Sequence, residues 1–371
     1  MKKLISISLL CFFIAAPLPM ATADASIVRI TSTIHQNFTG EFRNDELSQE
    51  LTPSGKLGQL VFVPLSSSKI WIIDPALIDE VVAMTGDYTL ATEATPIGKD
   101  IASSWLTQLK KVSAANDVVA LAYGNPDVAM AKDLAPSELR MYYAYGKSAL
   151  EMALSRMVRS EPNGKWSKGR SKLDPLQRKA YGQARKDLTR LSKVVASPEL
   201  MQLRVRLARL LSPGLDADGR AYSLYNARTA VDAQLHRLRI NPGKYQLTTE
   251  KTVLPVTVVN DFPVEVTVNI NMLAMNTRII VDSFSEITLA ANSKRQLELN
   301  AFVIAPGQTI VFAQMTDSLG SDVAPPAVLA LNATVIDPRL TWFTTGAAIL
   351  LLLAAITQSV RRVRRGRHNE I

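Results

Sequence analysis

The period of the hydrophobic pattern changes twice along the chain, and these changes divide it into three regions of different fold class. Up to about residue 157, short apolar runs alternate with stretches in which apolar residues recur every three or four positions. Only the helical spacing continues from 158 to 244, and strict alternation takes over from 245 to 337, as in PVEVTVNINM at 263–272. We therefore predict an α/β domain at 26–157, then a basic helical segment, then an antiparallel β-sandwich.

Strands and helices alternate within the first region. The predicted strands are 59–65, 69–74 and 118–123, and the predicted helices are 75–84, 99–115 and 137–157. Asp74 and Pro75 fit the N-cap and first helical position of one helix, and Ser137 fits the N-cap of another. This alternation indicates a parallel sheet covered by helices, in which ligands bind at the carboxyl ends of the strands.

Two aspartates follow predicted strands at this edge. Asp74 ends KIWIID, and Asp127 ends the turn sequence YGNPD. A pair of carboxylates in one cleft is the arrangement that glycan hydrolysis requires. Each residue also has a structural explanation, because Asp74 precedes Pro75 at a helix start and Asp127 follows Pro126 in a turn. We favour the structural interpretation and keep a catalytic pair as the alternative.

The sequence offers no pattern typical of a metal or cofactor site. The three histidines, His35, His236 and His368, are widely separated and lack the spacing of metal ligands. Neither a glycine-rich phosphate loop nor a nucleophile elbow is present. We therefore predict no cofactor and no metal.

The helical segment is strongly basic. Between Arg156 and Arg209 there are fifteen Lys or Arg and four Asp or Glu, a net charge of +11, whereas the whole chain carries +9. Such a segment is either a solvated surface or a site for anionic lipid or anionic wall polymer. The candidate binding residues are Lys165, Trp166, Lys168, Arg170, Lys172, Arg178, Lys179, Arg185 and Lys186. Nucleic acid is not expected, because the signals at the two chain ends place this segment outside the cytoplasm.

The first 25 residues have the pattern of a secretory signal peptide. Lys2 and Lys3 precede an apolar run at 4–16, and small residues suited to cleavage follow at 21–25. The only cysteine, Cys11, lies in this apolar run, so we expect a processed chain without disulfides or thiol chemistry.

The C-terminal part of the sequence predicts a membrane anchor. Residues 340–360 carry no charge and approach the length that crosses a bilayer, and RRVRRGR follows at 361–367. The prediction is a single-pass type I protein of the cell membrane. Its bulk would be extracytoplasmic, and its tail at 361–371 would be cytoplasmic.

Several motifs resemble an uncharacterised family of actinobacterial membrane proteins. They are WIIDPALIDEVVAM (71–84), ALAYGNPDVAMA (120–131), LRINPGKYQLT (238–248) and the alternating region that leads to the apolar run at 340–360. The resemblance implies secretion, one C-terminal span and a gene often found near that of the lipid II flippase. It also implies an α/β region similar to carbohydrate-active barrels. A complete barrel needs about 250 residues, so the first region here is expected to form only part of one.

The sequence thus predicts an accessory protein of the cell envelope that works by binding. The expected partners are envelope proteins, among them the lipid II flippase, and anionic glycan or lipid. The alternative is a degenerate or active polysaccharide-processing enzyme, similar to a hydrolase or deacetylase, that uses Asp74 and Asp127.

Overall fold

The computed structural model describes residues 26–63, 69–160, 164–334 and 338–366. The predicted signal peptide at 1–25 and the last five residues of the tail lie outside the described residues. The described chain folds into a parallel sheet with its helices, a set of basic helices, and two further sheets.

The parallel sheet has four strands in the order β1-β2-β3-β4, as in one half of a β/α barrel. The strands are β1 (Ser26–Ile30), β2 (Lys69–Ile73), β3 (Asp117–Ala120) and β4 (Arg159–Ser160). Helices fill each crossover: α1 (Glu46–Leu51), α2 (Gly58–Phe62), α3 (Pro75–Met84), α4 (Lys99–Ser113), α5 (Val128–Leu134) and α6 (Pro136–Leu154). Ile30, Ile73 and Ala120 are aligned across the sheet and pack into one core with the helices.

One predicted strand is a helix in the structure. We expected a strand at 59–65, but α2 occupies Gly58–Phe62. Two side chains of α4 stabilise this short helix, since Trp105 donates to the carbonyl of Leu57 at 3.0 Å and Gln108 donates to that of Val61 at 3.1 Å. A short apolar run fits a buried strand and a buried helical turn equally well, and here tertiary contacts decide.

The N-cap residue of α6 also differs from the one that the sequence predicted. Ser137 was predicted to be the N-cap, but the N-cap is Ala135 and Pro136 takes the first helical position. Proline is favoured there because it has no N–H to satisfy and its φ is already helical. The helix therefore begins without a side-chain cap.

The basic helices follow β4. They are α7 (Pro175–Leu191), α8 (Pro198–Arg206), a 3-10 helix (Leu207–Leu211) and α9 (Ala217–Leu235). Asp174 and Gln177 form a capping box at the start of α7, where the Asp174 carboxylate accepts from the Gln177 N–H at 2.8 Å. The buried residues of α7 lie on one side, which leaves its charged side in solvent.

In the part of the chain that the structure describes, nine strands form the remaining two sheets, one in the order β10-β8-β12-β13-β6 and the other β5-β7-β11-β9. They are β5 (Leu238–Ile240), β6 (Gly243–Leu247), β7 (Lys251–Asn260), β8 (Val266–Ala274), β9 (Ile279–Val281), β10 (Phe284–Leu289), β11 (Ser293–Val303), β12 (Gly307–Thr316) and β13 (Ala327–Ala333). The pairing is antiparallel except between β13 and β6, which run parallel. Alternate residues of both sheets, such as Val256 and Ile270, are buried in a shared core.

The predicted membrane helix is not supported. The last helix, α10, spans Pro338–Gly366. Among the described residues, no helix combines the length and the apolar character that crossing a bilayer requires. The predicted fold class is therefore wrong in this element, and so are the single-pass topology and the membrane localisation derived from it.

Candidate functional site

Asp74 lies at the carboxyl end of β2 and serves as the N-cap of α3. One oxygen, Oδ1, accepts from the backbone N–H of Ala76 and from that of Gly124, both at 3.0 Å. The side chain is buried, and this burial raises the pKa of Asp74 to about 6. Asp74 thus ties the start of α3 to the turn that follows β3.

Asp127 caps a different helix. Its Oδ1 accepts from the N–H groups of Ala129 at 3.0 Å and Met130 at 3.2 Å at the start of α5. Its Oδ2 accepts from the N–H of Ser171 at 2.9 Å, in the loop that leads to α7. Because both aspartates are bonded to backbone N–H groups of separate helices, their geometry favours the capping interpretation.

The turn between them explains the sequence YGNPD. Gly124 has φ of +76° and Asn125 has φ of +43°, so two successive residues adopt the left-handed conformation. A side chain at Gly124 would meet the backbone of Arg209, with its Cβ at 2.9 Å from the nitrogen. The apolar strand ends in this turn because the chain must bend sharply under the 3-10 helix.

The carboxyl ends of the strands are filled by a buried ion pair that the sequence did not reveal. Arg209 of the 3-10 helix pairs with Glu80 of α3, and both side chains are almost fully buried. Glu80 Oε1 also accepts from the N–H groups of His35 at 3.2 Å and Gln36 at 3.1 Å. Burial lowers the pKa of Arg209 to about 10, an effect that the negative charges of Asp74 and Asp79 oppose.

The burial of Glu80 could have been predicted from the sequence. Leu77, Glu80, Val81 and Met84 follow the spacing of one helix face, and all four are buried. A carboxylate on the apolar side of a helix calls for a buried cation, but the sequence could not indicate which arginine supplies it. The pair joins the α/β region to the basic helices.

A serine, a histidine and a glutamate meet after β1 without forming a catalytic triad. Ser32 Oγ donates to Glu50 Oε2 at 2.7 Å and lies 3.1 Å from His35 Nε2. In a triad the acid orients the imidazole, whereas Glu50 here binds the serine. Burial also lowers the pKa of His35 to about 4, which makes it a weak base. The described residues contain no cluster of three or more His, Cys, Asp or Glu able to hold a metal ion.

The predicted basic residues fall into two groups. Lys165, Lys168, Arg170, Lys172, Arg178, Lys179 and Lys186 are exposed, whereas Trp166 and Arg185 are partly buried. In the loop before α7, which we call the basic loop (residues 164–172), Lys165 lies over the ring of Trp166 at 4.9 Å. The carbonyl of Trp166 accepts from Arg29 of β1 at 2.7 Å, so this loop is fastened to the parallel sheet.

A charged stripe runs along the solvent side of α7. Lys179, Lys186 and Arg190 lie opposite the buried residues of this helix, and Gly182 between them leaves open space. Two neighbouring acids are already paired, Asp187 with Arg228 at 3.4 Å and Glu199 with Arg237 at 2.9 Å. Arg178 instead bonds the carbonyl of Leu173 at 3.0 Å, which gives it a local structural role. The stripe therefore keeps its positive charge.

In the part of the chain that the structure describes, Asp74 and Asp127 cap separate helices, and most of the predicted basic residues lie exposed on the basic loop and α7. Residues 146–368, more than half of the chain, match the family of unknown function DUF6049. The chain belongs to this family, as the resemblance to an uncharacterised family predicted. No curated protein matches the chain significantly.

Three solved structures each resemble about a quarter of the chain. WR4, a C. elegans MSP family member, is 14% identical over 26% of this chain and 98% of its own, with a TM-score of 0.21. The ASH/PapD-like domain 7 of human CEP192 is 10% identical over 27% of this chain and 87% of its own, with a TM-score of 0.22. SSP-19, an MSP-domain protein-like family member from Caenorhabditis elegans, is 9% identical over 24% and 92%, with a TM-score of 0.19.

Proposed function

We propose that this protein is an accessory of the cell envelope that works by binding an anionic polymer. The binding surface consists of the basic loop and the solvent stripe of α7. The polymer would carry phosphate or carboxylate groups at regular intervals, as wall polymers do. The family is of unknown function, so the proposal rests on the chemistry of this surface.

One observation carries the proposal. Five exposed cations, Lys168, Arg170, Lys172, Lys179 and Lys186, form no ion pair or hydrogen bond within the described part of the chain. Some other cations of the basic helices are paired with acids, as Arg228 is with Asp187 and Arg204 with Glu138. Like charges held together without local acids repel one another, and an external anion would relieve that repulsion.

The shape of the surface favours a polymer over a lipid headgroup. The 17 residues of α7 extend for about 25 Å, and the basic loop lengthens this track at one end. A linear series of cations matches a chain of repeating anions. Leu176, one turn before Lys179, is an exposed apolar side chain of α7, so the preference for a polymer rests on the linear spacing of the cations.

Binding can be measured with the full-length protein and immobilised long-chain polyphosphate, polygalacturonate or neutral dextran. We expect binding to the two anionic polymers, with a steep loss as salt rises, because the screening length falls from about 30 Å at 0.01 M to about 8 Å at 0.15 M. Each cation near an anionic surface contributes about 1 kcal/mol, so Lys168→Gln with Arg170→Gln and Lys172→Gln should reduce affinity about a hundredfold. The double substitution Lys179→Gln with Lys186→Gln tests in the same way how much α7 contributes to polymer affinity.

A matched control is Lys110→Gln, an exposed lysine on α4 that lies outside this surface. It should bind the polymers as the unsubstituted protein does. Equal binding to dextran, or unchanged binding by both groups of substitutions, would show that the charges are only a solvated surface. Binding to phosphatidylglycerol vesicles in the absence of polymer binding would contradict the polymer proposal.

The expected protein partners stay a prediction. The family resemblance implies envelope proteins, among them the lipid II flippase. Co-purification from the native source, with the partners identified by mass spectrometry, tests that expectation independently of the polymer.

A further inference from the structure

A cleft lies beside the loop that follows β1, apart from the basic loop and α7. This loop forms one wall at 38–40, and facing sides of α8 and α9 form the other two. The volume of the cleft is about 410 Å³, within the roughly 300–1,000 Å³ that is usual for ligand sites. Because the loop leaves the carboxyl end of a parallel strand, the cleft lies at the edge of the sheet where ligands commonly bind.

The wall that the β1 loop supplies is preformed. Asn37 Oδ1 accepts from the backbone N–H groups of Thr39 at 2.9 Å and Glu41 at 3.0 Å, and the Asn37 N–H donates to the carbonyl of Glu41 at 2.8 Å. Gly40 completes this turn with φ of +100°, a conformation that glycine adopts without strain. Phe38 is buried in the same core as α8 and α9. This wall therefore does not have to become ordered when a ligand binds, which favours affinity.

The floor of the cleft is apolar and made of small surfaces. Leu203 of α8 and Ala230 of α9 line it and are buried in one core. Ala233, one turn after Ala230, also lines the cleft and is exposed. Two alanines leave room for a group the size of a methyl but form no deep apolar hole. The floor therefore suits a small apolar group better than the large side chain that usually anchors a peptide.

The polar side chains around this floor have hydrogen-bonding capacity that the fold does not use. Gln202 of α8 is exposed, and its side chain forms no hydrogen bond within the part of the chain that the structure describes. The side-chain oxygen of Gln234 accepts from Arg237 at 3.3 Å, which leaves its amide nitrogen able to donate. Arg206 Nη1 lies 3.5 Å from the carbonyl oxygen of Phe38, which is long for a hydrogen bond. The cleft thus offers both donors and acceptors to a ligand.

The charges around the cleft are close to balance. Glu199 at the rim pairs with Arg237 at 2.9 Å. Burial raises the pKa of Asp79, and the positive charge of Arg206 opposes that rise, so these two groups lie near each other. An anionic ligand would meet the carboxylate of Glu199, and a cationic one would meet the guanidinium of Arg206. The cleft therefore favours a neutral ligand that is rich in hydrogen-bonding groups.

We infer that this cleft binds one N-acetylated sugar residue. Its acetamido group would lie between Gln202 and Gln234, because amide side chains present the donors and acceptors that another amide needs. The acetyl methyl would contact Ala230 and Ala233, and a ring hydroxyl would donate to Glu199. The inference goes beyond the proposed function, since the cations of the basic loop and α7 take no part in it.

Two trisaccharides with the same linkage and no charge test the inference directly. Triacetylchitotriose carries an acetamido group at the position where cellotriose carries a hydroxyl. We expect the full-length protein to bind triacetylchitotriose at least tenfold more tightly than cellotriose in a ligand-observed NMR titration. The saturation transferred from the protein should be largest at the acetyl methyl protons, because this group would contact the floor of the cleft.

Two substitutions test where the sugar binds. Gln202→Ala should weaken the binding of triacetylchitotriose about fivefold, the effect of losing one hydrogen bond between neutral groups. Ala233→Leu should weaken it more than tenfold, because the larger side chain occupies part of the cleft. Melting temperatures should stay unchanged, since both residues are exposed on helices. The matched control is Gln49→Ala, an exposed glutamine of α1 outside the cleft, which should bind as the unsubstituted protein does.

The outcomes separate this inference from the proposed function. Absent binding of triacetylchitotriose, or equal binding of cellotriose, would overturn the acetamido assignment. Unchanged binding by either cleft variant would overturn the location. Binding of N-acetylalanine methylamide as tightly as the trisaccharide would show that a peptide-like amide is sufficient, which would overturn the sugar assignment. Lys168→Gln with Arg170→Gln and Lys172→Gln should weaken polyphosphate binding and leave triacetylchitotriose binding within about twofold, so each proposal can fail without the other.

Discussion

Replacing Asp74 by Asn tests whether this buried carboxylate serves the fold or a reaction. Asn keeps an oxygen in the position of Oδ1, which accepts from the N–H groups of Ala76 and Gly124, but it cannot ionise. In the unsubstituted protein, burial raises the pKa of Asp74 from its ordinary 3.8 to about 6. Asn therefore resembles the protonated form of Asp74 at every pH.

The expected change in the free energy of unfolding follows from this pKa shift. Because the folded-state pKa lies above the unfolded value, the folded protein binds more protons than the unfolded chain between pH 3.8 and about 6. The stability of the unsubstituted protein should therefore fall as the pH rises through this window, and the loss should be complete above it. A shift of this size corresponds to about 3 kcal/mol. Asp74→Asn should match the unsubstituted protein near pH 4 and exceed its free energy of unfolding by up to this amount at pH 8.

Urea unfolding at pH 4, 6 and 8, followed by circular dichroism, measures these differences. Asp74→Ala is the control, because it leaves two backbone N–H groups without an acceptor and should be less stable than Asp74→Asn by about 2 kcal/mol or more at every pH. Polymer binding should be unchanged in the Asn variant. If Asp74→Asn is less stable than the unsubstituted protein at pH 8, the ionised carboxylate stabilises the fold and the argument from burial is refuted.

Other substitutions test neighbouring features of the fold. Arg209→Met leaves Glu80 buried without its cation and should cost about 3–5 kcal/mol, whereas adding Glu80→Gln should restore part of that loss in thermal unfolding. Gly124→Ala should destabilise the protein by more than about 1 kcal/mol, because φ is +76° and the new Cβ would meet the Arg209 backbone. Gly182→Ala, in open space on α7, should stabilise it by about 0.5–1 kcal/mol, and equal melting temperatures for these two glycine variants would contradict both arguments. Asp127→Asn should cost about 0.5–2 kcal/mol and leave polymer binding intact, so a folded variant that no longer binds would restore a functional role for this carboxylate.

Local signals identified helices best where a cap coincided with an apolar pattern. Asp74 and Pro75 marked the start of α3, and the structure has that helix at Pro75–Met84. The same reasoning failed at 59–65, where the run is short and α4 supplies the contacts that make it a helix. At 340–360 the uncharged composition indicated a membrane span, which no helix of the described chain supports.

The sequence predicted only part of the candidate site. Charge counting identified the basic region, because net charge over a segment needs no tertiary information. It could not separate Lys179, which faces solvent, from Arg178, which bonds the carbonyl of Leu173. Contacts between residues far apart in the sequence were missed, because only the packing of the folded chain brings them together. The pairing of Glu80 with Arg209 was missed for the same reason.

The packing of α6 has a consequence for how the chain opens. Tyr142 and Tyr143 of α6 pack with the basic helices and the two β-sheets, whereas Leu150 and Leu154 at its other end pack with the helices of the parallel sheet. The same helix thus belongs to two cores, and neither core can come apart without disturbing it. Hydrogen exchange should show this directly, with the amides of α6 protected as long as the slower-opening core remains closed. A pulling force applied at the two chain ends should likewise be transmitted through this one helix.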